Sequence, residues 1–330
     1  MIETVGVIGL GQIGLPIARN LISAGFPVVG YRRSQANPLA DIGGELASSA
    51  AKLADRCKVI VSCLPDAASV EEAVAGQAGL LGGDCSGLLL VELSTIDLTI
   101  KQRLRDRLTT SGATMIDGAI SGMPKMVAER KGVVYASGTP KDYARAEPVL
   151  AGFADKIVNF GPFGMGTKAK LTTNLLLALN IAASAEALAY GMKAGLPADV
   201  LIAALGEGAA SSLQFKVRAP MMAAMNWDHG TGPTWMLKKD LDLAQALGSQ
   251  MQCPTPLLDS AAAIYRAAMS AGLSDADVAS IFAVVASRAG LGNSTQVKAN
   301  PCAPNTALAP SRSGLARIFP WLSAKSGSSR

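Results

Sequence analysis

Residues 4–8 form a short β-branched run that passes directly into Gly9-Leu10-Gly11-Gln12-Ile13-Gly14. A helix-like stretch over 15–24 follows, Gly25 closes it, and Val28-Val29-Gly30-Tyr31 reads as a second strand. Strand, glycine turn, helix and strand in this order constrain the chain to a βαβ unit of the dinucleotide-binding type. Gly9 permits the tight turn. Gly11 lets a pyrophosphate approach the backbone, with Gln12 and Ile13 completing the turn, and Gly14 lets the helix pack on the strand. The phosphate charge then meets the positive end of the helix. A glycine-rich turn with no ligand would not require all four elements together.

The end of the second strand selects among cofactors. A carboxylate there accepts from a ribose 2′-hydroxyl. This chain instead carries Arg32, Arg33 and Ser34, which suit a 2′-phosphate, the arginines by bidentate pairing. NADP(H) is therefore favoured, with NAD(H) as the second reading. Either arginine alone could instead stack on an adenine or face solvent.

Further along, 59–65 and 88–93 read as buried strands. In a parallel sheet the carboxyl ends of the strands line the ligand crevice, which places Leu64, Pro65, Ser94 and Thr95 near the cofactor. A strand starts at Thr114, a loop follows over 121–124, and strands are expected at 133–137 and 157–158. This unit is expected to close near Phe163. Beyond it, strand signals stop and helices are predicted over 167–194, 197–207, 211–226, 233–250, 255–272 and 275–289. Pro197, Pro220, Pro233 and Pro254 punctuate them. Ser274 and Asp277 suggest a capping box. The polar, proline-containing stretch after Leu291 reads as a disordered tail, with a small apolar island at 318–322. The predicted class is α/β: an N-terminal doubly wound Rossmann sheet (1–163), an all-α domain (164–290) and a tail (291–330).

Composition narrows the function. Of 330 residues, 49% are hydrophobic and 17% charged, enough apolar content for a sizeable core. The net charge of +5 comes without basic runs interleaved with aromatics. A small anionic substrate therefore fits better than a nucleic acid. Five scattered cysteines and one histidine, His229, support neither a disulfide framework nor a metal cluster, and fit a cytoplasmic protein. No signal peptide is read at the start. The apolar run after Asn174 is broken by Asn180, Ser184 and Glu186, so it reads as a buried helix rather than a membrane span. Apolar helices of this length need more cover than one small domain supplies, which predicts a homodimer or tetramer.

Gly164-Met165-Gly166 opens the helical half, and Lys170 and Asn174 follow four residues apart on one helical face. An ammonium and an amide at the head of an apolar helix are costly unless something polar meets them. A partly desolvated lysine would also have a lowered pKa, useful for proton transfer near neutrality. A solvated lysine at a helix start is the plain alternative, as Lys168 two residues earlier illustrates. Lys239, beside Lys238, could equally be a surface residue, and His229 is read as an exposed loop residue.

Four motifs in order give the chain a resemblance to the β-hydroxyacid dehydrogenase family over about residues 2–290. These are Gly9–Gly14 through Asn20-Leu21 and Gly25, Asp117-Gly-Ala-Ile-Ser121-Gly122, Gly164-Met-Gly166 through Lys170 to Asn174, and Lys239-Asp240-Leu241. The resemblance implies a mechanism. Lys170 would give or take the proton of the carbonyl/hydroxyl oxygen while the nicotinamide exchanges a hydride at the same carbon. Ser121 and Gly122 would hold the substrate carboxylate and Asn174 its polar groups. Thr95 and Lys239 would lie on the cofactor side. Departures fall mostly around the substrate. Ala119-Ile120 precede the serine, and Met123 stands where the family has a second glycine. Thr173 replaces an asparagine, and Leu98 stands where a proline is common. Met123 would enlarge one wall of the carboxylate loop and admit a bulkier or differently shaped hydroxyacid. The imine reductases share the architecture but commonly carry another residue at the lysine position. A non-catalytic nucleotide-binding protein is the third reading.

Overall fold

The first strand, β1 (Val5–Ile8), is buried on both faces, and helix α1 (Gly14–Ser23) returns along it to β2 (Val28–Tyr31). The structure is a computed structural model and describes residues 2–33, 37–227 and 232–291. The chain continues through β3 (Glu45–Leu46), α2 (Ala50–Ala54), β4 (Val59–Ser62), α3 (Ala67–Ala75), β5 (Leu89–Glu92) and α4 (Leu98–Thr110). Then come β6 (Thr114–Ser121), α5 (Pro124–Ala128), β7 (Val133–Ser137), α6 (Pro140–Phe153) and β8 (Lys156–Asn159). The eight strands form one sheet in the order β3-β2-β1-β4-β5-β6-β7-β8. All neighbours are parallel except β6 and β7, which run antiparallel.

The continuous apolar runs of the strands are explained by helices on both faces. Val5, Val7, Val59, Val61, Leu89 and Val91 pack with Ile17 and Leu21 of α1 and Val149 and Phe153 of α6. The alternate residues Ile8, Ile60 and Leu90 pack with Leu53, Val70 and Leu104 on the other side. Asn20 fastens α1 to later parts of the chain, its Nδ2 donating to Val127 O at 2.8 Å and Phe153 O at 3.4 Å.

Helix α7 (Met165–Lys193) then leaves the sheet and becomes the axis of a helical region: α8 (Ala198–Glu207), α9 (Leu213–Ala223), α10 (Thr234–Gln250), α11 (Pro256–Ser270) and α12 (Ile281–Arg288). With a mean hydropathy of 1.5 it is long and apolar enough to cross a membrane. In this fold Ala178, Ile181, Ala185 and Leu188 are spent on a core shared with Phe215, Leu241, Tyr265 and Phe282.

Differences from the sequence reading are local. β3 is two residues long, too short to leave a pattern. The stretch after Ser121, read as loop, contains α5, started by Pro124 in the first helical turn and pinned by the buried Val127. Helix α9, predicted over 211–226, runs Leu213–Ala223 with Pro220 inside it on the exposed side. The Ser274–Asp277 capping box is not formed. The Ser274 carbonyl accepts from Trp235 N, while the Asp277 carboxylate caps its own turn through Ala279 N at 2.8 Å and pairs with Arg218. Ser34, His229 and the tail over 292–330 lie outside the described residues.

Candidate active site

The glycine turn is built as the local sterics require. Gly9 has φ +91°, and a Cβ there would lie 2.3 Å from Cys63 O; a Cβ on Gly14 would lie 1.8 Å from Gly9 O. A Cβ on Gly11 would meet no protein atom within 4 Å, so this backbone faces the crevice. No side chain caps the start of α1, which leaves its first N–H groups for an anion. A cavity of about 720 Å³ runs from Gly9 and Gly11 past Leu64 to Tyr31, Arg32 and Arg33. Open glycine backbone, an uncapped helix start and two guanidiniums in one cavity fit a dinucleotide. Asp66, at the head of α3, also lines it. A hydrogen bond from Ser69 N holds its carboxyl below the usual range despite burial, with Lys239 and Arg33 adding smaller effects.

Helix α7 is aimed at the other end of the crevice by a buried ion pair. Asp117 on β6 and Lys101 on α4 are both wholly buried and 2.9 Å apart. Lys101 Nζ also donates to Gly118 O at 3.0 Å. The second Asp117 oxygen accepts from Thr167 N at 2.8 Å and from Ser137 Oγ at 3.0 Å, while Gly166 N donates to Ser137 Oγ at 2.9 Å. The first-turn N–H groups of α7, which the helix itself cannot satisfy, are thus satisfied by the sheet. Gly166 is required by that approach, since a Cβ there would sit 2.8 Å from Asp117 O. Gly164, at φ +98°, turns the chain into the helix against the Leu98 side chain. Burial alone would raise the Asp117 carboxyl, but Lys101 and the Thr167 hydrogen bonds bring it below its ordinary value.

One turn further on, the half-buried Lys170 donates from Nζ to Ile120 O at 2.9 Å, beside Ser121 at the end of β6. Burial lowers its pKa. Asp240 and Cys63 oppose that shift, and Lys239 adds to it. Burial pushes the Cys63 thiol up to about 12, so it stays protonated and is no nucleophile. The buried Asn174 donates from Nδ2 to Asp240 Oδ2 at 2.6 Å. Lys239 Nζ donates to Thr95 O at 2.6 Å and Pro65 O at 3.1 Å, and lies 3.2 Å from Asp240 Oδ1. Burial raises the Asp240 carboxyl, against the pull of Lys239, Lys170 and the Asn174 amide. Met123 starts α5 without a side-chain cap, and a Cβ on Gly122 would lie 3.2 Å from Gly132 Cα.

The fold therefore brings Lys170, Asn174, Lys239, Pro65, Thr95 and the Ile120–Ser121 edge together. Gly9, Gly11, Leu64, Arg32 and Arg33 line the adjoining cavity. Sequence reasoning quoted Asp240 and Asp117 only as motif members and missed Lys101. A signal existed for Lys101: helical spacing sets it on the Leu104 and Leu108 face of α4, where an unpaired lysine would be costly.

Comparison with known proteins identifies the family. The model of the NAD binding domain of 6-phosphogluconate dehydrogenase matches residues 4–161. The model described as NAD-binding of NADP-dependent 3-hydroxyisobutyrate dehydrogenase matches residues 164–285. Mouse (Mus musculus) mitochondrial 3-hydroxyisobutyrate dehydrogenase is 30% identical over 287 residues, covering 84% of this chain and 85% of that protein. L-threonate dehydrogenase of Cupriavidus necator is 30% identical over 275 residues, covering 82% and 92%. The crystal structure of 3-hydroxyisobutyrate dehydrogenase from Salmonella typhimurium superposes with a TM-score of 0.78 at 27% identity, covering 86% of this chain and 99% of that one. Fold, motif order and relatives agree that the chain belongs to the β-hydroxyacid dehydrogenase family of NAD(P)-dependent oxidoreductases.

Proposed function

We propose that the protein is an NADP-preferring oxidoreductase that interconverts a small β-hydroxyacid and its semialdehyde or oxo acid, with Lys170 as general acid and base. The observation that carries this is Lys170 itself: a half-buried ammonium, lowered by burial, held at the Ser121 edge of the crevice. A bound nicotinamide supplies or accepts the hydride at the carbonyl carbon. In the reductive direction Lys170 Nζ gives its proton to the carbonyl oxygen, and in the oxidative direction it takes the hydroxyl proton. Ser121 and the Gly122 N–H hold the carboxylate, Met123 shapes the wall beside it, and Asn174 reads a further polar group. Gly9, Gly11, Gln12, Ile13 and Gly14 receive the pyrophosphate, and Arg32, Arg33 and Ser34 the 2′-phosphate. Leu64, Pro65, Thr95 and Lys239 flank the nicotinamide side. The division into a dinucleotide domain (1–163) and a helical domain (164–290) belongs to the same proposal. It is supported by the end of β8 at Asn159 and the start of α7 at Met165.

The test is NADPH oxidation against a panel of short semialdehydes and cyclic imines, and NADP⁺ reduction with 3-hydroxyacids, for the natural protein and Lys170→Ala. Semialdehydes and hydroxyacids should turn over. Lys170→Ala should lose ~10²–10⁴-fold in kcat, with NADPH affinity by fluorescence titration largely intact. Retained turnover in the variant moves the chemistry elsewhere, and turnover of imines alone would make this an imine reductase.

A further inference from the structure

Lys239 and Asp240 are consecutive on α10, yet they hold different parts of the site. An ammonium has three N–H donors. Lys239 donates to Thr95 O and Pro65 O, and its ammonium pairs with Asp240 Oδ1 at 3.2 Å as an ion pair rather than a hydrogen bond. Two of its three donors and its charge are thus engaged by the protein itself. The other Asp240 oxygen takes the Asn174 amide. A short path therefore runs from the carbonyls beyond β4 and β5, through Lys239 and Asp240, to the amide on α7. Asp240 is 6% exposed and Asn174 4%, so water screens these links little.

Building on the proposed dehydrogenase function, we propose that Lys239 and Asp240 act as a positioning strut that couples cofactor binding to substrate binding. Leu64 and Asp66, on either side of Pro65, line the cofactor cavity, and Lys239 ties the Thr95 carbonyl to the same point. A cofactor that settles this point sets Lys239, Lys239 sets Asp240, and Asp240 fixes which end of the Asn174 amide is offered to the substrate. Neither residue touches the reacting atoms. Asp240 has a second effect, on Lys170, which faces Asp240 and Lys239 on α10 and Cys63 beyond β4. With Cys63 protonated, Asp240 is the negative charge in this set. It favours the protonated ammonium.

The experiment compares the natural protein with Asp240→Asn and Lys239→Met, each first shown to be folded by a thermal melt. The NADPH dissociation constant is measured by nicotinamide fluorescence, alone and with saturating 3-hydroxyisobutyrate, a pairing that cannot turn over. In the natural protein the hydroxyacid should tighten NADPH about tenfold, and in both variants by less than about twofold. In semialdehyde reduction the alkaline fall of kcat/KM should move to lower pH in Asp240→Asn. A merely structural loss would lower that curve without moving it. A natural protein whose NADPH affinity the hydroxyacid leaves unmoved overturns the strut, as do variants that keep the full effect. If no NADPH binding is seen in any of the three proteins, the dehydrogenase function falls and the strut with it, a result distinct from intact binding without coupling.

Discussion

Arg32 and Arg33 close the far end of the cavity, half-buried and exposed respectively, and on the proposed function they decide between two cofactors that differ by one phosphate. A hydrogen bond to a charged group contributes about 1.5–3 kcal/mol. Replacing both arginines by alanine should thus weaken NADPH by roughly 10–100-fold or more and leave NADH nearly unchanged. The ratio of kcat/KM values for the two cofactors measures it, and an unmodified protein that prefers NADH would count against the reading. The glycine turn was legible in the sequence because it demands glycine: Gly9 sits at φ +91°, and a Cβ on Gly14 would lie 1.8 Å from Gly9 O. Asp240 was not, because its meaning lies in Asn174, 66 residues away, and nothing in the spacing announces that pairing.

Among the elements, α7 depends on the sheet for its start. Its first turn rests on Asp117, whose charge is matched by the buried Lys101. Removing one member of a buried pair leaves the other uncompensated, at a cost of about 3–5 kcal/mol. Asp117→Asn should therefore lose stability of that order in urea denaturation. Lys101→Met combined with Asp117→Asn should recover part of it, because the Thr167 contacts stay weakened; full recovery would show that the ion pair alone matters. The folded Asp117 pKa lies below its unfolded value. Its contribution is therefore fully present above the ordinary carboxylate pKa of about 3.9 and is lost as pH falls through the lower folded value. The sequence marked the start of α7 through Gly164 and Gly166, since a turn and a close approach both demand glycine. It did not mark β3 or α5, which are shorter than any periodicity can register.

On the scale of the whole molecule, alternating strands and helices made a doubly wound sheet readable, followed by helices. The strand order and the reversed β7 came from packing. The helical region leaves large apolar side chains in the open, among them Tyr190 at 78%, Leu257 at 70% and Leu176 at 59% exposure. We propose that a second copy covers part of this surface. Light scattering should report a homodimer or tetramer, and a monomer at micromolar concentration would argue against it. The Asn20 latch carries a consequence for timing. The glycine turn is among the first parts of the chain to be synthesised, yet it is clasped through Val127 and Phe153. At ~5–20 residues per second those partners emerge roughly 8–30 s after the start. For most of that interval β4 has already been made, but α1 still lacks the clasp that Val127 and Phe153 provide. A ribosome that stalls before residue 127 would therefore hold out an unsealed first βαβ unit, open to chaperones or to strands of a neighbouring chain.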